Sequence, residues 1–298
     1  GVANVTVRSY STQANQSVTA SDGTRTGNSG VIAFSADAIN SINIPFSNQT
    51  ITAGQTVQFI ATSYDAYLNQ RTGDTFTWTN TTSTGLFNNT TTGIYAVTAQ
   101  SGTVTSNSVN VTINPGVLNS INITPGSNQN IKAGQTVQFI ATAFDTYGNQ
   151  RTDTINWNNT NTSGLFNQTT AGSYQVYSLV GSIRSNVVTI TVSHNDTVSS
   201  LQISPENTHL INADQVLLYT LKAFDVYGNY WDISALGTFS TTDPYGRFTE
   251  NTYYAGKVGI WINKATYAGK EVSTNITIDA VGETYKIEFT NTLTQLDI

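Results

Sequence analysis

The chain has 298 residues, of which only 10% are charged, and its formal net charge is −6 at pH 7. A negative net charge argues against nucleic acid or an anionic membrane surface as a partner, and the lack of cysteine excludes disulfides and thiolate metal sites. No apolar run approaches the roughly 20 residues that a membrane-crossing helix needs, so no membrane span is predicted.

The N-terminal segment, residues 1–39, matches no complete repeat of the chain. Gly1–Tyr10 alternates apolar with polar side chains, which predicts a half-buried strand. The apolar face of this strand consists of Ala3, Val5 and Val7. A loop rich in Ser, Thr and Gly follows, with short strands predicted near Ser17–Ala20 and Val31–Ala36. At most three strands fit here, which is too few for an independent sandwich.

A string of ten residues, AGQTVQFIAT, occurs at 53–62 and again at 133–142. Its apolar positions alternate with polar ones, as in a strand with one buried face. Each copy leads into a turn-like segment (65–71 and 145–151), a tryptophan, the string Gly-Leu-Phe, a tyrosine and a last strand rich in Val and Thr. A third, diverged copy is anchored by Ala223–Asn229. The chain is therefore predicted to be a tandem array.

We predict three repeat domains, at 40–116, 117–197 and 198–298, after the segment 1–39. No stretch has helical periodicity, and many short strands separated by turn signals predict all-β sandwiches. The linkers between the domains are short, so neighbouring domains are expected to form a semi-rigid rod.

The tail after the third repeat predicts an additional C-terminal strand, because its apolar and polar side chains alternate. The apolar members are Tyr285, Ile287 and Phe289. They stand where the earlier repeats pass into the first strand of the next one, so the tail is interpreted as the first strand of a domain that does not follow.

These features, in this order, resemble the prokaryotic immunoglobulin-like repeats of the Big type, over about residues 40–280. The resemblance implies an all-β fold of three tandem immunoglobulin-like β-sandwiches, with an extra strand segment at each terminus. Repeat three departs from the pattern, because Phe239 replaces Trp78 and Trp157, and Gly246–Phe248 replaces Gly-Leu-Phe. Its core is expected to pack differently. The family is found in cell-surface, pilus-like and adhesin glycoproteins of archaea and bacteria, and fold alone does not choose among these roles.

Asn-x-Ser/Thr triplets are unusually dense, and most of them fall on predicted turns or polar strand positions where a glycan could be borne. The set predicts a secreted, extracellular glycoprotein with covalent N-glycans, although Asn88 and Asn89 overlap and are not both expected to be occupied. The candidate acceptors are Asn4, Asn15, Asn48, Asn80, Asn88, Asn89, Asn110, Asn122, Asn158, Asn161, Asn167, Asn195 and Asn275.

An Asp-x-x-x-Asn turn recurs in each repeat and has two interpretations. The first is a weak calcium site, because oxygen ligands recur at loop spacing and a further carboxylate follows each turn. The second, which we favour, is a turn in which Asp accepts hydrogen bonds from the turn's own amides. The aspartates are Asp65, Asp145 and Asp225, the asparagines are Asn69, Asn149 and Asn229, and the following carboxylates are Asp74, Asp153 and Asp232.

The repeated tryptophans, Trp78 and Trp157, are interpreted as aromatic plugs of the sandwich cores rather than as a carbohydrate-stacking face. Trp231 and Trp261 lie outside that register, and both interpretations stay open for them. An enzyme is not predicted and no cofactor is expected, because the chain has only two histidines, no cysteine and no acid–base pair that distinguishes one repeat from the others.

The two terminal strands lead to the most specific hypothesis. An isolated strand has main-chain donors and acceptors that need partners, and donation of Ala3, Val5 and Val7 into another copy would build a head-to-tail homopolymer. The alternative is that both termini fold back onto their own repeats. We therefore predict a subunit of a pilus-like filament; the alternatives are a repeat segment of an S-layer protein or adhesin stalk, and a carbohydrate-binding accessory module.

Overall fold

The computed structural model describes residues 5–207 and 209–280, and every regular element within these ranges is a β-strand. The all-β prediction is therefore confirmed. Among the same residues there is no helix that is long and apolar enough to cross a membrane. The predicted C-terminal strand with Tyr285, Ile287 and Phe289 lies outside the described residues, as do Ala3 and Asn4.

The N-terminal segment has four short strands in two antiparallel pairs, β1 with β4 and β2 with β3. These strands are β1 Gln13–Gln16, β2 Thr19–Ser21, β3 Thr26–Asn28 and β4 Ile32–Phe34. The predicted strand over Gly1–Tyr10 is wrong for residues 5–10, which form no strand. No strand of the described chain pairs with these residues, so they lack the ladder of backbone hydrogen bonds that defines a strand.

Repeat one carries ten strands, and its first strand pairs with the strand that begins at Thr62, the last residue of the ten-residue string. The strands are β5 Ser41–Asn43, β6 Gln49–Thr52, β7 Thr56–Gln58, β8 Thr62–Tyr64, β9 Thr77–Trp78, β10 Leu86–Asn88, β11 Gly93–Val97, β12 Ala99–Ser101, β13 Val104–Thr105 and β14 Val109–Asn114.

Repeats two and three also carry ten strands each, and the final strand is longer only in repeat three. Repeat two has β15 Leu118–Thr124, β16 Gln129–Lys132, β17 Thr136–Gln138, β18 Ile140–Asp145, β19 Gln150–Arg151, β20 Asn156–Asn158, β21 Leu165–Asn167, β22 Gly172–Val180, β23 Ile183–Arg184 and β24 Val188–Ser193. Repeat three has β25 Ser200–Ser204, β26 His209–Asn212, β27 Val216–Leu218, β28 Thr220–Phe224, β29 Tyr230–Asp232, β30 Thr238–Thr241, β31 Arg247–Thr249, β32 Thr252–Tyr254, β33 Gly259–Tyr267 and β34 Lys270–Asp279.

The three repeats share one pairing scheme. The second strand of each repeat runs parallel to its last strand, as β6 does to β14, β16 to β24 and β26 to β34. The last strand also pairs antiparallel with the preceding long strand, as in β11–β14, β22–β24 and β33–β34. Parallel pairing of an early strand with the last one, inside an otherwise antiparallel repeat of this size, is immunoglobulin-like topology.

The ten-residue string forms two strands rather than the one strand that its alternation predicts. The break comes at Phe59, whose amide donates to the carbonyl of Gly85 (2.9 Å), so β7 pairs with β10 while β8 pairs with β5. The alternation itself is confirmed, since Phe59 is 1% exposed and Ile60 is 56% exposed. Repeat two breaks at Phe139 in the same way, with Gly164 as the acceptor.

The described chain divides into two compact units. The first comprises the residues up to Asn122, together with Ala141–Ile155 and Leu179–Ser185; the second comprises Ile123–Ile140, Asn156–Ser178 and the residues from Asn186 onward. The first contains the core of repeat one, around Phe59, Phe87 and Val111, and the second contains the core of repeat three. The domain boundaries predicted from the repeats stay a prediction.

The core of repeat three contains two buried tyrosines, Tyr219 and Tyr253, and so differs from the core of repeat one, as expected. Tyr219, at the position of Phe59, is buried and accepts a hydrogen bond from Asn263 Nδ2 (3.0 Å). The hydroxyl of buried Tyr253 donates to Asp243 Oδ2 (2.8 Å). Burial and the neighbouring Asp243 raise the pKa of Tyr253, so this hydroxyl stays protonated. The two tyrosine hydroxyls thus each have a hydrogen-bond partner, whereas Oδ1 of the buried Asn263 has none among the described residues.

Candidate functional site

The Asp-x-x-x-Asn turn has the same internal geometry in all three repeats. In repeat two, Asp145 Oδ1 accepts hydrogen bonds from the amides of Tyr147 (2.8 Å) and Asn149 (2.9 Å), while Oδ2 accepts from Asn149 Nδ2 (2.8 Å). The equivalent contacts are present around Asp65 and Asp225. These are the contacts that the turn interpretation predicts. Calcium binding at these aspartates stays an untested hypothesis.

The sequence does not reveal that each turn also binds the segment that precedes its repeat. In repeat two, Asn149 Nδ2 donates to the carbonyl of Thr90 (2.7 Å), and the amide of Thr92 donates to Asn149 Oδ1 (3.0 Å). The linker amide of Gly116 donates to Asp145 Oδ2 (2.7 Å). One Asp-Asn pair therefore fixes both the linker and a loop of repeat one. We call this set of contacts the Asp-Asn junction.

The same junction joins repeat three to repeat two. Asn229 Nδ2 donates to the carbonyl of Thr169 (2.8 Å), the amide of Ala171 donates to Asn229 Oδ1 (2.7 Å), and the linker amide of Asn195 donates to Asp225 Oδ2 (2.8 Å). Because Asn229 is 9% exposed and Asp225 is 3% exposed, these bonds are shielded from water.

The junction occurs a third time between repeat one and the N-terminal segment. Asn69 Nδ2 donates to the carbonyl of Tyr10 (2.9 Å), and the amide of Thr12 donates to Asn69 Oδ1 (3.2 Å). The amide of Asp37 donates to Asp65 Oδ2 (3.0 Å). The segment before residue 40 thus meets repeat one through the same atoms by which repeat one meets repeat two.

A tyrosine in each turn adds an apolar contact to the junction. An alanine Cβ built on Gly54 would lie 2.1 Å from the hydroxyl of Tyr147, and one on Gly134 would lie 2.3 Å from that of Tyr227. The two glycines also have positive φ (86° and 85°), which favours glycine over other residues. In repeat three, Asp214 occupies the position of these glycines, with φ of 66°. The side-chain oxygen of the neighbouring Gln215 accepts a hydrogen bond from the amide of Asn212, as that of Gln55 does from the amide of Thr52.

The residue two positions after the junction asparagine also contacts the linker. Arg71 and Arg151 donate to linker carbonyls, of Asp37 and Gly116, and each pairs with the following aspartate. In repeat three Trp231 replaces the arginine and stacks on His194 of the linker, with ring centroids 3.9 Å apart and planes at 8°. The linker is therefore held by an ion-paired guanidinium in two repeats and by aromatic stacking in the third.

The junction carboxylates are kept ionised by their surroundings. Burial raises the pKa of Asp145, but the hydrogen bonds from Asn149, Gly116 and Tyr147 lower it further than burial raises it, and the result is a pKa of about 2. The pKa of Asp65 is also lowered to about 2 by the equivalent contacts, and that of Asp225 is lowered.

We expect acid to weaken the junctions. Because these pKa values are lower in the folded chain than the ordinary 3.8, the carboxylates stabilise the fold above pH 3.8, and this stability is lost as the pH falls toward about 2. The melting temperature of the chain should therefore fall over that range, and Asp145→Asn should reduce the slope. The control is Asp214→Asn, an exposed carboxylate outside the junctions. An unchanged slope in Asp145→Asn would contradict this origin of the acid sensitivity.

The four tryptophans are half-buried. Trp78 packs against the core of repeat one, and the ring centroids of Trp157 and Phe139 are 6.4 Å apart. Trp231 and Trp261 both pack against the core of repeat three. Trp261 is not outside the repeat register as the sequence suggested, because its Nε1 donates to the carbonyl of Lys257 just as the hydroxyl of Tyr95 does to Thr91. Packing against a core agrees with the plug interpretation, and carbohydrate stacking at Trp231 and Trp261 stays an untested alternative.

Most predicted glycan acceptors lie at the surface. The exposed ones are Asn15, Asn48, Asn80, Asn88, Asn110, Asn122, Asn161, Asn167 and Asn275, and the half-buried ones are Asn89, Asn158 and Asn195. The predicted donor side chains Val5 and Val7 are 72% and 43% exposed. Neither the glycans nor the donation of a strand is tested by these positions, and both stay predictions.

Comparison with known proteins gives distant relatives. No family model matches the chain. Ice-binding protein 1 of Shewanella frigidimarina is 28% identical over 268 residues, which cover 81% of this chain and 29% of that protein. The chain therefore spans less than a third of this relative's length.

Solved structures of similar fold include an adhesin and a surface layer protein. The Escherichia coli adhesin FdeC is 16% identical, with 83% of this chain and 100% of that chain covered and a TM-score of 0.43. Domains 1–6 of the surface layer protein SbsC are 17% identical, with 87% and 43% covered and a TM-score of 0.31. Because both TM-scores are below 0.5, the immunoglobulin-like assignment depends on the strand pairing described above.

Proposed function

We propose that this chain is a stalk segment of an extracellular, cell-surface protein, in which immunoglobulin-like repeats hold a binding or anchoring part away from its base. The observation that carries the proposal is the Asp-Asn junction, which recurs three times with the same donors and acceptors. A spacer has to resist bending at its linkers, and a linker whose amide is bound by a buried carboxylate has lost most of its freedom.

The comparisons support a surface role without specifying it. The similar structures belong to an adhesin and an S-layer protein, and the match to ice-binding protein 1 leaves most of that protein uncovered. A match to less than a third of that relative is what we expect if the matched part is a spacer and the ligand-binding part lies elsewhere in that protein. The proposed role is structural and not catalytic. It is supported by the junction carboxylates, because their oxygens are engaged in hydrogen bonds from the turn and the linker.

The stalk proposal is tested by releasing the junctions. We expect the triple variant Asn69→Ala, Asn149→Ala, Asn229→Ala to remain folded by circular dichroism but to broaden the distance distribution in small-angle X-ray scattering. The matched control replaces three exposed asparagines outside the junctions: Asn88, Asn130 and Asn167. If the triple variant and the control scatter alike, the junctions do not stiffen the chain and the proposal fails.

Surface location is tested separately on intact cells that make the natural protein. We expect an antibody against residues 40–280 to label unpermeabilised cells, and external protease to remove that signal. Labelling that requires permeabilisation would contradict an extracellular stalk.

We also propose that the exposed sequons carry N-glycans. A glycan on the exposed Asn167 would extend into solvent, whereas Asn195 is half-buried and leaves less room for one. Glycopeptide mass spectrometry of the natural protein should therefore show higher occupancy at Asn167 than at Asn195. Asn167→Gln should remove one glycan mass, and an unmodified natural chain would contradict the prediction.

Assembly of copies into a filament by strand donation is a second candidate. Its support is the exposure of the apolar side chains Val5 and Val7 on residues that have no strand partner. Deletion of residues 1–10 should then abolish polymers and leave folded monomers, as seen by negative-stain microscopy. Polymers that persist after the deletion would exclude these residues as donors.

A further inference from the structure

The N-terminal segment matches the second half of repeat one in sequence. Residues 19–29 read TASDGTRTGNS and residues 98–108 read TAQSGTVTSNS, with seven of eleven positions identical. The alignment continues without a gap to the linker, where Asp37 is aligned with Gly116. In the same alignment Val18 corresponds to Val97, Ala20 to Ala99 and Ile32 to Val111.

The strand pairing matches in the same register. Gln13 of β1 faces Phe34 of β4, as Gly93 of β11 faces Ile113 of β14, and the alignment equates Phe34 with Ile113. Before Val18 the alignment with repeat one shifts by one residue. The pairing of β1 with β4 has a one-residue irregularity between Gln13 and Gln16, which accounts for this shift. The junction contacts agree as well, because Tyr10 and Thr12 offer the carbonyl and amide that Thr90 and Thr92 offer in repeat one.

The segment differs from repeat one in lacking the layer that would cover its core side chains. Val97, Ala99 and Val111 of repeat one are fully buried. Their counterparts in the segment line an open apolar groove together with two upstream valines. The groove is lined by Val5, Val7, Val18, Ala20 and Ile32.

We propose that residues 5–39 are the last part of a further immunoglobulin-like repeat, and that the apolar groove receives the earlier strands of that repeat, equivalent to residues 40–84. These strands would come from the polypeptide on the N-terminal side of residue 5 in the full-length protein. One of them would run parallel to β4, as β6 does to β14. The segment already meets repeat one in the way that a preceding repeat does, which favours a partner in the same chain. A second copy could supply such strands only by opening one of its own buried cores.

The test completes the repeat with the protein's own sequence. Residues 40–84 are fused ahead of residue 5, and a second version uses residues 119–163, the equivalent part of repeat two. We expect the backbone amides of residues 13–34 to gain about tenfold or more protection from hydrogen exchange in at least one version, with the protein still monomeric. The matched control adds Val18→Asp, which should leave the unextended chain unchanged and remove the gain in the extended one.

Two results would overturn the proposal. One is an absence of added protection in both extended versions. The other is an unextended chain that sedimentation shows to be a dimer with residues 13–34 already protected, since the groove would then be filled by a second copy. Neither result bears on the stalk proposal, because its scattering test depends on junctions that are present with or without the extension.

Discussion

Replacing Gly54 by alanine should lower the free energy of unfolding of this chain by about 3 kcal/mol. A left-handed backbone costs an alanine about 1–2 kcal/mol, and the added Cβ would lie 2.1 Å from the hydroxyl of Tyr147, an overlap that typically adds about 1–3 kcal/mol. Gly148→Ala is the matched control, because Gly148 has φ of 83° and open space at its Cβ position. Urea unfolding of both variants separates the backbone effect from the contact with tyrosine.

The same contact predicts a rescue. Because the overlap in Gly54→Ala is with Tyr147 of the next repeat, adding Tyr147→Ala should return the extra loss in stability toward that of Gly148→Ala, after correction for Tyr147→Ala alone. Additive effects of the two substitutions would show that Tyr147 does not lie on Gly54 in solution.

Asn149→Ala should destabilise the chain by about 2 kcal/mol, because buried groups that lose a partner typically cost about 1–3 kcal/mol. The substitution removes the acceptor of the Thr92 amide and the donor to the carbonyl of Thr90, and it takes one hydrogen bond from Asp145. Hydrogen exchange at the amide of Thr92 should accelerate in the variant, since that amide loses its partner.

The control for this prediction is Asn130→Ala, an exposed asparagine of β16, which should change stability by less than about 0.5 kcal/mol. Asn149→Ala with native stability and native exchange at Thr92 would mean that the junction does not form in solution.

The repeated fold could be predicted because its signal is local. The alternation in AGQTVQFIAT places Phe59 and Phe139 inside and the polar positions outside, and the structure confirms that pattern. The change of sheet at Phe59 was missed, because it depends on a hydrogen bond to Gly85, which lies in a distant part of the repeat. Alternation shows which face is buried and does not show which neighbour a strand pairs with.

The junction is not predictable from local sequence, because its two halves lie in different repeats. The turn residues Asp145 and Asn149 were identified from their recurrence, but nothing local shows that Asn149 reaches Thr90 and Thr92. One signal was available: Gly54 and Gly134 are followed, one repeat later, by Tyr147 and Tyr227. Trp261 was misplaced for a related reason, since it replaces the tyrosine of the other repeats with a larger ring that keeps the same hydrogen bond.

The tyrosine and glycine of the junction also bear on how such a protein grows during evolution. Repeat two carries both the tyrosine that lies on the preceding repeat and the glycine that accepts the tyrosine of the following one. Duplication of its coding sequence would therefore insert a new unit with two compatible ends. Repeat three breaks this rule, because Asp214 stands where the glycine should be. Lengthening by gene duplication is thus favoured on the N-terminal side of repeat three and opposed on the other.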